Sequence, residues 1–201
     1  KGGPRRGGGG PGRAIGTIIA LLLVGFIVLL VKPVKPLGAE GGLQEAQRLN
    51  QKIRLVRAAV LDGKAIGQNV SEAEANGYLA EVVKRTNESL PSGKKQLLMV
   101  RKVNLQFAGQ KITVVVLAQM GPLTVSYSMT GQPARQGGQF ILLPERTRVG
   151  LVPVPAAAGP WVTGRISYVF SKLNNERALL DQVSKMEVRD GAVVVAFQGA
   201  P

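Results

Sequence analysis

Few residues of this chain could carry out chemistry, because its 201 residues include no histidine and no cysteine. Catalysis by an imidazole or a thiol is therefore excluded, as are metal sites built on those groups and any disulfide framework. Serine beside lysine can perform acyl transfer, and the sequence offers Ser92 with Lys94 and Ser171 with Lys172. Both pairs are close neighbours within a predicted turn or helix and form no recognisable dyad. The sequence thus predicts a protein that is not an enzyme.

Two carboxylates, Glu72 and Glu74, are the other candidates, for acid–base chemistry or cation binding. They belong to Ser71-Glu72-Ala73-Glu74, which has the pattern of a capping box between the Ser71 hydroxyl and the Glu74 carboxylate. Carboxylates in the first turn of a helix are also favoured by the helix dipole. We therefore interpret the pair as the start of a helix that runs to about Thr86 and keeps Glu72 in water. We expect no metal or cofactor site here.

The element that organises the rest is an uncharged apolar run at residues 14–31, AIGTIIALLLVGFIVLLV. As a helix it would be about 27 Å long, close to the roughly 30 Å hydrocarbon thickness of a bilayer. It exceeds the usual apolar segment of a signal peptide, and Lys-Pro-Val-Lys-Pro follows it instead of a cleavage site. The run therefore predicts an uncleaved transmembrane helix. The alternatives are a signal peptide or a buried core helix, although the run has no polar face.

Basic residues flank this run unequally. Four of them precede it within a Gly- and Pro-rich tail at residues 1–13, and two follow it in a linker at 32–42. The bias predicts an inner-membrane, single-pass protein with its N-terminus inside and an extracytoplasmic domain at 43–201. The tail lacks apolar residues and is predicted to be disordered. The residues predicted to contact anionic lipid are Arg5, Arg6, Arg13, Lys32 and Lys35.

The net charge is +14. Six Lys and Arg and no acid lie in residues 1–36, which leaves +8 for the 20 basic and 12 acidic residues that follow. These later charges are scattered, and aromatic residues are only 4% of the chain, so no nucleic-acid platform is indicated. The charge fits either a nearby anionic membrane or an ordinary basic surface.

The first helix of the domain is predicted between Leu43 and Leu61, where apolar residues recur at intervals of three and four. It either packs on its own domain or forms a short coiled coil with another subunit. After Pro91 the apolar period changes from 3.6 to 2, which predicts an antiparallel meander. Its strands are expected at about 99–107, 112–118, 123–130, 139–143 and 147–152, with a loop at 131–138 and a break at Pro144. An apolar helix at 161–173 and a hairpin at 185–198, turned by Asp190-Gly191, complete the chain.

This order of elements resembles a known type of protein. The helix SEAEANGYLAEVV at 71–83, the segment VGLVPVP at 149–155 and the final hairpin together resemble bacterial membrane-anchored proteins of the tubular lipid-binding (TULIP-like) type, such as the YpmS-like family. In these a Glu-x-x-x-Asn-x-x-Leu-like helix and a Gly-x-Leu-Pro-x-Pro-like segment recur. The resemblance covers roughly residues 66–199 and implies a strongly curved sheet around a long helix, which can leave an apolar groove.

The predicted fold is α+β, with one N-terminal transmembrane helix followed by a curved antiparallel β-meander packed on one or two helices. The apolar residues on the strands and on the last helix would either line a groove for a bound lipid or fill a closed core. These residues are Met99, Val103, Leu105, Val125, Tyr127, Met129, Trp161, Ile166, Val169 and Phe170.

Two functions follow as hypotheses. The first is a non-catalytic accessory or structural subunit of an envelope membrane protein complex, with membrane lipids and other membrane-protein subunits as its partners. The second is a membrane-tethered module that binds lipid or another apolar ligand.

Overall fold

The computed structural model describes residues 21–25, 28–30, 32, 34, 37–88, 99–137, 139–155 and 178–198. The described part is α+β, as predicted, with two antiparallel sheets. Its helices and strands, in chain order, are α1 Leu43–Leu61, β1 Ile66–Ser71, α2 Glu72–Glu88, β2 Met99–Ala108, β3 Lys111–Met120, β4 Leu123–Gln136, β5 Gln139–Val149, β6 Val152–Pro153, β7 Val183–Arg189 and β8 Ala192–Phe197. The stretches 21–25, 28–30 and 178–180 are also helical.

The larger sheet is the predicted meander, with strands in the order β2-β3-β4-β5-β6. The predicted loop at 131–138 is wrong, because β4 continues to Gln136, and the predicted break at Pro144 is wrong, because β5 is a single strand. The register explains both errors. Thr130 pairs with Arg146 and Gly131 with Pro144, so Glu145 is an extra residue in a β-bulge. A bulge lets a strand pass a proline, which has no N–H to donate to the ladder.

The smaller sheet contains the predicted C-terminal hairpin, β7 and β8, joined at Asp190-Gly191. Its third strand, β1, was not predicted. β1 pairs with β8 from Ile66 opposite Phe197 to Ser71 opposite Ala192, so the strand order is β1-β8-β7. The hairpin therefore builds a separate sheet instead of extending the meander.

Each sheet has its own apolar core. Leu79 and Val83 of α2 pack on one face of the five-stranded sheet. Val56 and Val60 of α1 pack on the three-stranded sheet, together with Phe107 of β2. The buried face of α1 therefore packs on its own domain, which was one of the two interpretations predicted for this helix.

The predicted transmembrane run lies mostly outside the described residues. Two helical stretches of it are described, 21–25 and 28–30, and their described side chains are exposed except for the half-buried Leu30. Among the described residues, no helix has both the length and the hydropathy needed to cross a bilayer. The predicted tail at 1–13 and the predicted apolar helix at 161–173 also lie outside the described part of the chain.

Candidate functional site

The described residues of the predicted groove lie largely on one face of the five-stranded sheet. Five of them pack together beneath α2, four fully buried and Leu105 half-buried: Val103, Leu105, Val125, Tyr127 and Met129. Met99 does not share this face. A bulge at Arg101 brings Val100, opposite Ala118, onto the face of Val103, and Met99 lies on the other side. Trp161, Ile166, Val169 and Phe170 lie outside the described residues.

The end of the N-terminal helical stretch is bonded to the five-stranded sheet. Lys32 N–H donates to the Val28 carbonyl at 2.8 Å, as in a regular helix. The Leu29 carbonyl would next require an N–H from residue 33, which is a proline and has none. Instead the Leu151 N–H, from the turn between β5 and β6, donates to the Leu29 carbonyl at 3.0 Å.

A second bond joins the same two parts of the molecule. In a continuing helix, the N–H of Val34 would serve the carbonyl of Leu30. Here Val34 N–H donates to Ser126 Oγ of β4 at 3.0 Å. Gly150, beside Ser126, adopts φ +58°, and a Cβ at this position would meet the carbonyl oxygens of Leu29 and Leu30. The turn at residue 150 therefore fits the helix end because it carries glycine. We call this contact the helix-end junction.

Beyond this junction, the predicted linker is also bonded to the domain. Ala39 N–H donates to Glu72 Oε2 at 2.8 Å, and the Ala39 carbonyl accepts from Asn76 Nδ2 at 2.8 Å. The exposed Glu40 pairs with Lys102 of β2 at 2.8 Å. The hydrogen bond from Lys102, followed by its positive charge, lowers the pKa of Glu40. The chain between the helix end and α1 is therefore attached to α2 and β2.

Glu72 and Asn76 also cover the outer edge of β2, the first strand of the five-stranded sheet. Asn76 Oδ1 accepts from Leu105 N–H at 2.6 Å, and its Nδ2 donates to the Leu105 carbonyl at 2.9 Å. Glu72 Oε1 accepts from Phe107 N–H at 2.6 Å, and the Phe107 carbonyl accepts from Gly191 N–H at 2.9 Å. These side chains replace a neighbouring strand at an otherwise open edge. We call Glu72, Asn76 and their bonds to Ala39, Leu105 and Phe107 the edge clasp.

The edge clasp corrects one prediction. Glu72 is not in water but buried, with both carboxylate oxygens accepting backbone N–H groups of other segments. The predicted capping box is confirmed by bonds of 2.9 Å from Ser71 N–H to Glu74 Oε2 and 3.2 Å from Glu74 N–H to Ser71 Oγ. Glu74 also pairs with Lys52 of α1 at 2.7 Å. Within the described ranges, no cluster of acidic residues could hold a metal ion.

The pKa of Glu74 reflects opposing effects. Burial alone would raise it, but hydrogen bonds from the Lys52 ammonium and from the Ser71 N–H outweigh burial, so the pKa lies below its usual range. Glu74 therefore joins the start of α2 to α1 as the charged partner of Lys52.

The face of the sheet opposite α2 is also buried and combines polar side chains with the apolar Val115, which pairs with Asn104 on one side and Ser128 on the other. Asn104, Ser126 and Ser128 are buried there. Among the described residues, Asn104 Nδ2 and Arg148 Nε have no hydrogen-bond partner. Ser126 belongs to the helix-end junction, so this face continues into the junction.

Sequence reasoning missed both the junction and the clasp. The segment 149–155 stood out in the sequence only for its family resemblance, and no sequence pattern showed that Leu151 bonds to Leu29 at the end of the apolar run. Of the predicted lipid contacts, Lys32 is described and exposed, whereas Arg5, Arg6, Arg13 and Lys35 lie outside the described residues, as do both Ser–Lys pairs.

No protein-family model matches this sequence, and no curated protein matches it.

Proposed function

We propose that this protein is a single-pass, membrane-anchored, non-catalytic accessory subunit of an envelope membrane complex. In this proposal the apolar run at 14–31 crosses the inner membrane, the N-terminal tail is cytoplasmic and the α+β domain is extracytoplasmic. The domain's resemblance to TULIP-like anchored proteins is part of the same proposal.

The observation that carries it is the exposure of the described helical stretch. Leucine and valine side chains at residues 21–24 and 28 are between 56% and 67% exposed. Since full burial of such a side chain is worth about 2 kcal/mol, these five together cost roughly 6 kcal/mol in water. No charge interrupts the run of 18 residues around them. Lipid would remove this cost, and a helix satisfies its own backbone bonds in lipid.

The bonds at the helix end support a structural role. The helix-end junction and the edge clasp attach the domain to the helix and to the segment that follows it. A domain attached at two places keeps a fixed orientation toward the membrane, as a subunit that positions its neighbours requires. The absence of histidine and cysteine from the sequence agrees with a role outside catalysis.

Membrane extraction tests the anchor. We expect the full chain to stay with the membrane pellet after an alkaline carbonate wash, and the double variant Leu22→Arg/Leu23→Arg to be released. Leu61→Arg is the matched control, because Leu61 is an exposed leucine of α1 in the domain. Release of the unaltered chain, or retention of the double variant, would contradict the anchor. The complex is tested separately: protein purified in mild detergent should bring other subunits with it, and a lone monomer would overturn that part.

A second candidate is a membrane-tethered lipid-binding module. It is favoured by half-buried apolar side chains that border the core beneath α2 on the β5–β6 side, Leu142, Val149 and Val154. Native mass spectrometry of the purified chain should then detect a bound lipid that extraction also recovers. A lipid-free protein by both methods would exclude this candidate.

A further inference from the structure

We propose that the end of the five-stranded sheet beside the helix-end junction itself contacts the anionic membrane surface, through the β3–β4 and β5–β6 turns. Leu123 and Leu151 would enter the interfacial layer, and Arg101 would lie at the level of the lipid phosphates. This inference rests on the proposed anchor, because it requires the helical stretches 21–25 and 28–30 to belong to a helix that ends at the membrane.

The direction of the helix places the β5–β6 turn at the membrane surface. Carbonyl groups of an α-helix point toward its C-terminus, so a donor bound to the last carbonyls lies beyond the end of the helix. Leu151 N–H is such a donor, bound to the Leu29 carbonyl. If the helix is in lipid, Leu151 lies where the hydrocarbon ends.

The register brings the β3–β4 turn to the same end of the sheet. Gly150 N–H donates to the Ser126 carbonyl at 2.8 Å, so the start of the β5–β6 turn lies beside Ser126. β4 begins three residues before Ser126, at Leu123, which is about 10 Å farther along the strand. The turn at 121–122 therefore extends past the junction, on the side away from the rest of the sheet.

The exposed groups at this end suit a lipid surface. Leu123 is 42% exposed and Leu151 is 41% exposed. Arg101 is exposed and its side chain donates to Gln119 Oε1, also at this end. Glu145 is the one acid in the sequence from 99 to 155, and it pairs with Lys111 near the opposite end of the sheet. Exposed leucines beside a basic residue match an anionic interfacial layer. The exposed Glu88 ends α2 near this part of the sheet, since its neighbour Asn87 donates to the Val100 carbonyl.

The absence of cysteine makes a direct test possible, because each introduced thiol is the only one in the chain. Leu123→Cys and Leu151→Cys would be labelled with an environment-sensitive fluorophore in the full chain, reconstituted in vesicles of phosphatidylcholine and phosphatidylglycerol. Leu143→Cys is the matched control. Leu143 is 47% exposed on β5 of the same sheet, seven residues before Gly150 and about 23 Å away along the strand.

We expect labels at 123 and 151 to be quenched by nitroxide lipids, and their quenching by aqueous iodide to be roughly twofold weaker than at 143, because interfacial groups lie about 5–10 Å deep. Equal behaviour at all three positions in protein that floats with the vesicles would overturn the surface contact while leaving the anchor intact. Protein that fails to float would instead refute the anchor.

Two further outcomes separate the membrane from other partners. Labels shielded in native membranes but not in pure lipid vesicles would indicate a protein partner and overturn the proposal. If the labels at 123 and 151 are buried at least as deeply in vesicles of phosphatidylcholine alone as in the mixed anionic vesicles, the role given to Arg101 is contradicted.

Discussion

Replacing Asn76 with alanine should destabilise the domain more than any other single amide truncation on α2. The change removes three hydrogen bonds, to Leu105 N–H, to the Leu105 carbonyl and to the Ala39 carbonyl. The Asn76 side chain is buried, so its partners lose a bond that water cannot fully replace. At about 1 kcal/mol for each group left unpaired, we expect a loss of about 3 kcal/mol in the free energy of unfolding.

Urea unfolding of the full chain in detergent micelles, followed by circular dichroism, would measure this loss. The matched control is Asn87→Ala on the same helix, which removes one bond to the Val100 carbonyl and should cost about 1 kcal/mol. Thermal unfolding of Asn76→Ala should show a melting temperature lower by about 6–12 °C, the shift typical of a domain of this size. The amide of Leu105 should also exchange hydrogen faster.

A loss for Asn76→Ala no larger than that for Asn87→Ala would refute the reasoning. It would mean that the outer edge of β2 does not depend on the edge clasp. Unchanged exchange at Leu105 would lead to the same conclusion.

The other predictions concern the contacts between α1 and α2. Glu74→Gln should destabilise the protein at neutral pH. Because the pKa of Glu74 is lowered on folding, its contribution is present above the unfolded value of about 4.3 and is lost as the pH falls below it. Denaturation of the unaltered chain and of Glu74→Gln from about pH 7 to about pH 2 gives the free energy of unfolding of each. The difference between the two free energies should narrow on the acid side, and a constant difference would contradict the ion pair between Glu74 and Lys52. Gly77→Ala should cost about 1–3 kcal/mol by urea unfolding, because its Cβ would lie 2.6 Å from the Gly42 carbonyl oxygen. Gly67→Ala is the control, since nothing lies within 4 Å of its Cβ, and equal stability of the two variants would disprove the close approach.

Local patterns were enough to predict much of the fold. The three- and four-residue spacing of α1 and the Asp190-Gly191 turn each act within a few residues, and both were confirmed. The strands were misjudged where a bulge intervenes, at Arg101 and at Glu145. A bulge inverts the alternation of apolar side chains beyond it, so a pattern read with a strict period of two places Met99 on the wrong side of the sheet.

The helix-end junction and the edge clasp depend on contacts that no local sequence pattern predicts. Glu72 in the first turn of a helix has a sufficient local explanation, so its burial against Phe107 was not foreseen. Likewise a proline at residue 33 leaves the Leu29 carbonyl without its helical partner, but only the fold shows that this carbonyl accepts a bond from Leu151. Both cases join residues that are far apart in the sequence.

The central claim is that one apolar helix holds the domain on the far side of the inner membrane from the N-terminal tail. Labelling with a membrane-impermeant maleimide in bacterial spheroplasts tests it most directly, using Gln136→Cys in the exposed β4–β5 hairpin and Gly8→Cys in the tail of the otherwise cysteine-free chain. The account predicts that the thiol at 136 reacts in intact spheroplasts and the thiol at 8 only after lysis. Labelling at 136 that requires lysis would contradict it.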